Sequence, residues 1–298
     1  MHPLCALCGK NQDIRELYPA TFDITSISKK TYSARRHPDH IHYRLVRCSN
    51  CGLIFSNPIL PPSVIAGLYK QSVCTYEDQI PYAVQTYGEL FEDIRPRLPK
   101  HPKDLEVGCG NGFFLESLQK NGIRDVWGVE PGKQMVDEAP KSLRLRIKND
   151  IFKKKQFAQN SFDVVCCFHT LDHMTDPNLF IQETLRILKP SGFVIVVVHD
   201  TAGWSVKLFG ERSPIFDIEH IYLFNKQTLR QLFTKHGFVS ADVRNLVNTY
   251  PLSYWLRMSG FAKGMKTIGE FLLAITGLSK KNISFAGGNI YLIAQKPK

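Results

Sequence analysis

At 298 residues, with 43% hydrophobic and 22% charged side chains, the chain has the composition of an ordinary soluble globular protein of one large domain or two smaller ones. Its strongest apolar run, Phe193 to Val198, is too short to span a bilayer, and the opening MHPLCALCGK lacks the apolar core of a secretory signal, so a soluble, cytoplasmic protein is expected. A formal charge of +11 is compatible with plain basicity or with an anionic partner such as RNA, an anionic lipid surface or a phosphorylated substrate, and does not choose among them.

Residues 1–60 carry short β-type stretches and two knuckles, Cys5-Ala-Leu-Cys8-Gly9 and Cys48-Ser-Asn-Cys51-Gly52. A glycine after the second cysteine lets the backbone turn its N–H groups toward the thiolates. Four thiolates suit a closed tetrahedral zinc site, structural rather than catalytic, so Cys5, Cys8, Cys48 and Cys51 are the expected ligands of a zinc-ribbon-like module. The 39 residues between Cys8 and Cys48 exceed the ~15–20 of a compact ribbon. His37, His40 and His42 in that insert are conceivable alternative ligands, and a redox pair or an unused remnant are the competing readings. Cys74, Cys109, Cys166 and Cys167 are scattered, and reduced thiols are expected.

Pro58, Pro61 and Pro62 close this module, and residues 61–101 read mostly as a helical connector with Tyr82, Tyr87, Leu90, Phe91 and Ile94 on apolar faces. From 102 to the end, apolar runs near 103–108, 125–130, 144–147, 162–168 and 192–198 alternate with helix patterns at 112–121, 132–140 and 176–189. This is the pattern of an α/β domain whose parallel sheet is covered on both faces. A further helix at 225–236 and strands near 238–247 and 285–295 finish it.

The stretch KDLEVGCGNGFFLESL places a strand, a glycine turn and a helix in succession, the arrangement that binds ligands at the carboxyl end of a sheet. The spacing is G-x-G-x-G rather than G-x-G-x-x-G. Glu106, two residues before the first glycine, would repel a pyrophosphate and attract a ligand bearing a sulfonium and an amino group. S-adenosylmethionine has both and no phosphate. Glu130, 18 residues after Gly112 at the next strand tip, is placed to accept both ribose hydroxyls.

With LEVGCGNGFFL, WGVEP, NSFDVVCCFHTLDHMTDP and ETLRILKPSGFVIVVV in view, residues 102–247 resemble class I S-adenosylmethionine-dependent methyltransferases. The resemblance implies a Rossmann-like, seven-stranded, mostly parallel sheet whose last strand is antiparallel. It also implies a cofactor set: Gly108, Cys109, Gly110, Asn111 and Gly112 beside the methionine part, Glu130 and Pro131 at the ribose, Asp150 and Ile151 at the adenine, and Phe168 and His169 lining the floor near the methyl group. The knuckles ahead of this fold are similar to those of bacterial methyltransferases of cell-surface glycan and lipid biosynthesis, which implies a small, sugar- or lipid-linked acceptor, with O-methylation expected. A ribosomal- or transfer-RNA methyltransferase is the alternative, and a non-catalytic S-adenosylmethionine-binding module a third. FHTLDH, where an N-P-P-Y-type tetrapeptide would stand, disfavours amino methylation of nucleobases.

A base is needed only where the acceptor must lose a proton. His169, Asp172 and His173 follow the fourth strand, His199 and Asp200 the fifth, and Glu219, His220 and Tyr222 lie beyond. His220 is the preferred base because the family often sets an H-x-x-x-F element beside the acceptor; His173 and His169 are further candidates, with structural roles as the plain alternative. Finally, Tyr254, Met258, Phe261, Met265, Ile268, Leu272 and Ile275 recur at spacings of four and three, an apolar stripe in an amphipathic insertion at 250–283. It reads as a peripheral membrane contact through 254–276 at the inner face of the membrane, as a lid over an apolar acceptor, or as a helix packed on the sheet or on the N-terminal helices.

Overall fold

The computed structural model describes residues 1–11, 13–23, 39–71 and 77–298, so His37 and Cys74 lie outside the described residues. Three short strands come first: β1 (Ile14–Tyr18), β2 (Leu45–Cys48) and β3 (Ile54–Ser56). Helices α1 (Pro62–Tyr69) and α2 (Ile80–Ile94) occupy the stretch read as a connector. Alternation then begins with β4 (Lys103–Val107), α3 (Phe113–Lys120), β5 (Asp125–Val129), α4 (Lys133–Glu138), α5 (Lys141–Arg144) and β6 (Ile147–Lys148). It continues with β7 (Phe162–Phe168), α6 (Pro177–Ile187), β8 (Leu188–His199), α7 (Trp204–Phe209), β9 (Tyr222–Leu223) and α8 (Lys226–Lys235). The chain ends in β10 (Val239–Pro251), α9 (Leu252–Arg257), α10 (Lys263–Ile275) and β11 (Asn282–Gln295).

The main sheet has seven strands in the order β10-β11-β8-β7-β4-β5-β6. Strands β8, β7, β4, β5 and β6 pair in parallel, while β11 runs antiparallel to both β8 and β10. This is the Rossmann-like sheet expected, including its antiparallel last strand. Every residue of β7 is buried, as are Phe193 to Val198 in β8, because helices cover both faces. Leu90, Phe91 and Ile94 of α2 and Phe114, Leu115 and Leu118 of α3 pack on one face. Phe180 and Ile181 of α6 and Leu229, Leu232 and Phe233 of α8 pack on the other. Strands sandwiched in this way bury both faces, so these two runs do not alternate; the one charged residue in them, Asp163 near the start of β7, is met by Lys189 at 2.8 Å.

The N-terminal strands form a second, four-stranded sheet in the order β1-β2-β3-β9, completed by a strand from late in the chain. Cys5, Cys48, Leu53 and Phe55 belong to the same apolar core as Leu105, Val196 and Phe233.

Two expected elements differ. The third strand of the pattern, expected at 144–147, is β6 at Ile147–Lys148, because the residues after Pro140 turn first into the short helix α5; a proline with an extended backbone just ahead of the first turn favours such a start. The stripe at 254–276 is divided between α9 and α10 rather than carried by one helix. At Gly260 between them, a Cβ would lie 2.5 Å from the Phe209 ring and 2.7 Å from the Arg212 carbonyl oxygen, a close approach that no longer side chain permits. The stretch caps the β10–β11 hairpin, and α10 has no buried residue, so α10 is not a helix packed on the sheet.

Candidate active site

The strand order reverses at β4, between β7 and β5, and open α/β sheets form a crevice beyond the carboxyl ends of the strands at such a point. A cavity of about 400 Å³ lies there, with Glu106, Gly108, Gly110, Glu130, His173 and His220 among its walls. Gly108, Gly110 and Gly112 take φ of 79°, 55° and 77°, a left-handed path that glycine follows at little cost. A Cβ on Gly108 would stand 2.2 Å from Thr170 Oγ1, so the turn is also sterically closed to other residues. Glu130 holds the loop from the neighbouring strand: Gly110 N–H donates to Oε2 at 3.0 Å and Gly132 N–H to Oε1 at 2.8 Å. The Asn149 side-chain amide donates to the carbonyls of Glu130 and Pro131 at 2.9 and 3.1 Å, fixing the turn after β5.

Glu106 is 2% exposed, and its Oε2 has no hydrogen-bond partner. Burial, reinforced by the carboxylates of Asp104 and Glu130, pushes its carboxyl well above the usual range, and burial also raises Glu130. An unpartnered buried carboxyl beside a second acid is costly without a cation to face it. The wall therefore suits a positively charged ligand.

The other end of the cavity gathers imidazoles from three separate chain segments. His169 ends β7 at φ 46°, and Asp172 and His173 form a 3-10 turn just after it. His199 ends β8, and His220 precedes β9. The His199 Nδ1 lies 2.7 Å from Asp172 Oδ2. Burial opposes charge on Asp172, but the His199 hydrogen bond and the nearby imidazoles outweigh it and hold the carboxyl far below the usual range. The ionised carboxylate can only accept, so His199 donates through Nδ1 and turns its Nε2 away from Asp172 Oδ2. His220 Nδ1 is 2.7 Å from the Ile215 carbonyl oxygen, which fixes the same tautomer there. Burial, with His199 adding, lowers the His220 pKa, keeping that ring neutral. The rings of His199 and His220 are 4.5 Å apart, centre to centre.

A family profile described as "Methyltransferase domain" matches residues 76–242, more than half of the chain. The chain belongs to the methyltransferase-domain family. Its methyltransferase domain is 30% identical over 97 residues to the ubiquinone biosynthesis O-methyltransferase of Neisseria meningitidis, which covers 30% of this chain and 41% of that protein. It is 26% identical over 137 residues to the protein so named in Yersinia pestis, covering 43% of this chain and 52% of that one. The chain thus spans about half the length of the curated relatives it matches. Among solved structures, YcgJ of Bacillus subtilis superposes with a TM-score of 0.50 at 19% identity, over 72% of this chain and 99% of that one. The cyclase SpnF does so with a TM-score of 0.51 at 17% identity, over 80% and 98%. These two likenesses are of fold.

Of the residues expected at the cofactor, the cavity of the methyltransferase domain brings together Glu106, Gly108, Gly110, Glu130, Pro131, Ile151, Phe168 and His169. Cys109, Asn111, Gly112 and Asp150 stand behind that wall. Cys109 packs against β5, where a Cβ on Gly128 would meet its Sγ at 2.5 Å, and Gly112 faces Leu143. The Asp150 carboxylate accepts from Ile151 N–H at 2.9 Å and pairs with Lys153, which itself reaches the cavity. The expected base candidates His169, His173 and His220 all reach the cavity, as does His199. Tyr69, Tyr87 and Met258 also line it and were not foreseen as site residues. Tyr87 stacks on Phe168 with ring centres 4.0 Å apart, and Tyr69 Oη lies 2.8 Å from His173 Nδ1. Helical periodicity marked Tyr87 as an apolar position and Met258 as a member of the stripe at 254–275, one reading of which is a lid over the acceptor; nothing local in the sequence marks Tyr69.

The four knuckle cysteines converge, with one sulfur of each within 4.8 Å of the others. Sγ of Cys5 and Cys51 are 3.4 Å apart, and those of Cys48 and Cys8 3.8 Å. His42 is turned away from them, with Nδ1 on the Tyr43 carbonyl at 2.8 Å and Nε2 3.3 Å from Glu211.

Proposed function

We propose that this protein transfers a methyl group from S-adenosylmethionine to the hydroxyl of a small, apolar, sugar- or lipid-linked acceptor. The observation that carries the reading is one cavity lined both by the glycine turn with Glu106 and Glu130 and by His173, His199 and His220, with the buried Asp172 hydrogen-bonded to His199. S-adenosylmethionine, when bound, supplies an electrophilic methyl on a sulfonium. Glu106 matches its positive charge, Glu130 accepts from the ribose hydroxyls, and Ile151 with Phe152 forms an apolar surface for the adenine. Pro62, Ile65 and Met258 present apolar surface to the acceptor. Alignment of donor and acceptor does much of the work in such a displacement. The remaining task is removal of the hydroxyl proton, for which a neutral imidazole backed by a carboxylate is suited. His199 is the better-placed base and His220 its neighbour. The curated relatives carry O-methyltransferase in their names, which supports oxygen as the atom methylated.

The cysteine cluster fits zinc. At a Zn–S distance of about 2.3 Å, tetrahedral thiolates stand about 3.8 Å apart, close to the separations found. Bound there, zinc would be structural. Tyr222 Oη donates to the Leu4 carbonyl at 2.8 Å, Ser56 Oγ to the His220 carbonyl at 2.9 Å, and β3 pairs with β9, so the knuckles support the segment bearing His220.

The α9–α10 stretch is proposed as a peripheral contact with an anionic membrane. Met265, Ile268, Phe271 and Ile275 are each more than half exposed, and Lys263, Lys280 and Lys281 flank them, the composition of an interfacial helix. Among the described residues no helix is long and apolar enough to cross a membrane. The test is incorporation of labelled methyl from S-adenosylmethionine into separated lipid, small-molecule, RNA and protein fractions of a lysate. Label in the lipid or small-molecule fraction is expected; label confined to RNA would overturn the acceptor class.

A further inference from the structure

His173 and His220 line the cavity, and together with the buried Asp172 beside them they have the chemistry of a metal site that base catalysis alone does not require. Asp172, His173 and His220 each offer a ligand atom within 4.8 Å of the other two. Asp172 is 1% exposed, and its Oδ1 accepts no hydrogen bond, standing 3.9 Å from His173 Nε2. Its other oxygen is already occupied by His199. The remaining atoms of the trio are likewise held: His220 Nδ1 by the Ile215 carbonyl and His173 Nδ1 by the Tyr69 hydroxyl. Metal-binding imidazoles are almost always oriented in this way, with the far ring nitrogen on a carbonyl, carboxylate or hydroxyl and the near one aimed at the ion. The backbone holds the trio in place, since Ile221 N–H donates to the Asp172 carbonyl at 2.7 Å.

We infer that Asp172, His173 and His220 bind one divalent first-row transition ion, and that this ion takes the acceptor oxygen in an open position. Two imidazoles and one carboxylate suit zinc, iron(II), cobalt(II) or manganese(II) rather than magnesium, which prefers oxygen. Ligand atoms around such an ion stand about 3–3.5 Å apart, so the trio closes by roughly 1 Å on binding. The inference rests on the methyl-transfer reading and deepens it. The ion lowers the pKa of the acceptor hydroxyl; the O–H proton passes to His199 Nε2; the oxygen forms the new C–O bond as the C–S bond breaks, its electron pair going to sulfur. Acceptors able to chelate through two neighbouring oxygens would be favoured.

The test is cobalt(II) titration of full-length protein whose cysteine site has been filled with zinc. One further equivalent is expected to bind with weak d–d absorption and no thiolate charge-transfer band. Asp172→Asn and the double change His173→Ala with His220→Ala should each weaken that binding by more than about 100-fold, and Tyr69→Phe by about 10-fold, as an outer-shell change does. Far-UV circular dichroism and S-adenosylmethionine binding report whether each variant is folded. A flat cobalt titration, or binding unchanged in the folded double variant, overturns the inference. If the wild type then still transfers methyl groups, only the metal site is lost and the proposed function stands; absence of transfer with a positive cobalt titration would instead strike the methyl-transfer reading.

Discussion

Glu106 Oε2 is buried with no hydrogen-bond partner, and that makes cofactor affinity depend on pH in a definite direction. Burial, with Asp104 and Glu130, raises its pKa, so the free protein holds the proton above the ordinary carboxylate range. A cationic ligand favours the ionised form, and binding therefore releases a proton. Affinity for S-adenosylmethionine should rise with pH from the ordinary carboxylate range until the raised pKa is passed, then level off. Calorimetric titrations at several pH values should show this, and Glu106→Gln should bind more weakly with a flatter profile. Among the imidazoles, His199→Ala should lower turnover at least about 100-fold, the lower range for a general acid–base group, and His220→Ala should lower it too, each with cofactor affinity nearly unchanged; single-turnover rates and equilibrium binding separate the two effects. Glu106 and Glu130 were visible in the sequence because one stands just before the glycine turn and the other at the tip of the next apolar strand run. The His199–Asp172 bond was not, although both residues stood out at strand ends: it requires knowing that β7 and β8 lie side by side. Tyr69 enters in a fold-dependent way that no local pattern announces, and the stripe that contains Met258 does not say which of its residues meets the cavity.

At the level of elements, β3 and β9 matter more than their two or three paired residues suggest. They join the cysteine knuckles to the segment that carries His220. Removing one sulfur should therefore act on both stability and catalysis. Cys5→Ser is expected to lower the melting temperature and to reduce turnover more than it reduces S-adenosylmethionine affinity, since the glycine turn lies on β4 and the base segment on β9. Thermal unfolding followed by the same kinetic measurements checks this. Strands β7 and β8, continuous apolar runs, were legible in the sequence; β6 and β9, two residues each, are too short to carry a period and are held by pairing alone. The division of the amphipathic stripe into α9 and α10 was hidden for a related reason. Gly260 is required by the approach of Phe209 and Arg212, contacts that exist only once α7 has folded against the hairpin.

For the whole molecule, the knuckles and the base of the β10–β11 hairpin share one core with the main sheet, and Met258, between α9 and α10, lines the cavity. Under the proposed membrane contact, an acceptor with an apolar tail would approach the imidazoles from the side of Met258. In flotation with anionic vesicles the protein should rise with the lipid, and replacing Ile268 and Phe271 by Glu should leave it in solution; wild-type protein that stays in solution would remove the membrane contact. Calorimetric titration of S-adenosylmethionine into the wild type and Glu130→Ala tests the proposed seat of the cationic cofactor beside Glu106 and Glu130. One site per chain is predicted, weakened at least about 10-fold in the variant, as loss of about 1.4 kcal/mol or more of charge-assisted hydrogen bonding requires. No binding to the folded wild type, or equal binding by the variant, would contradict it.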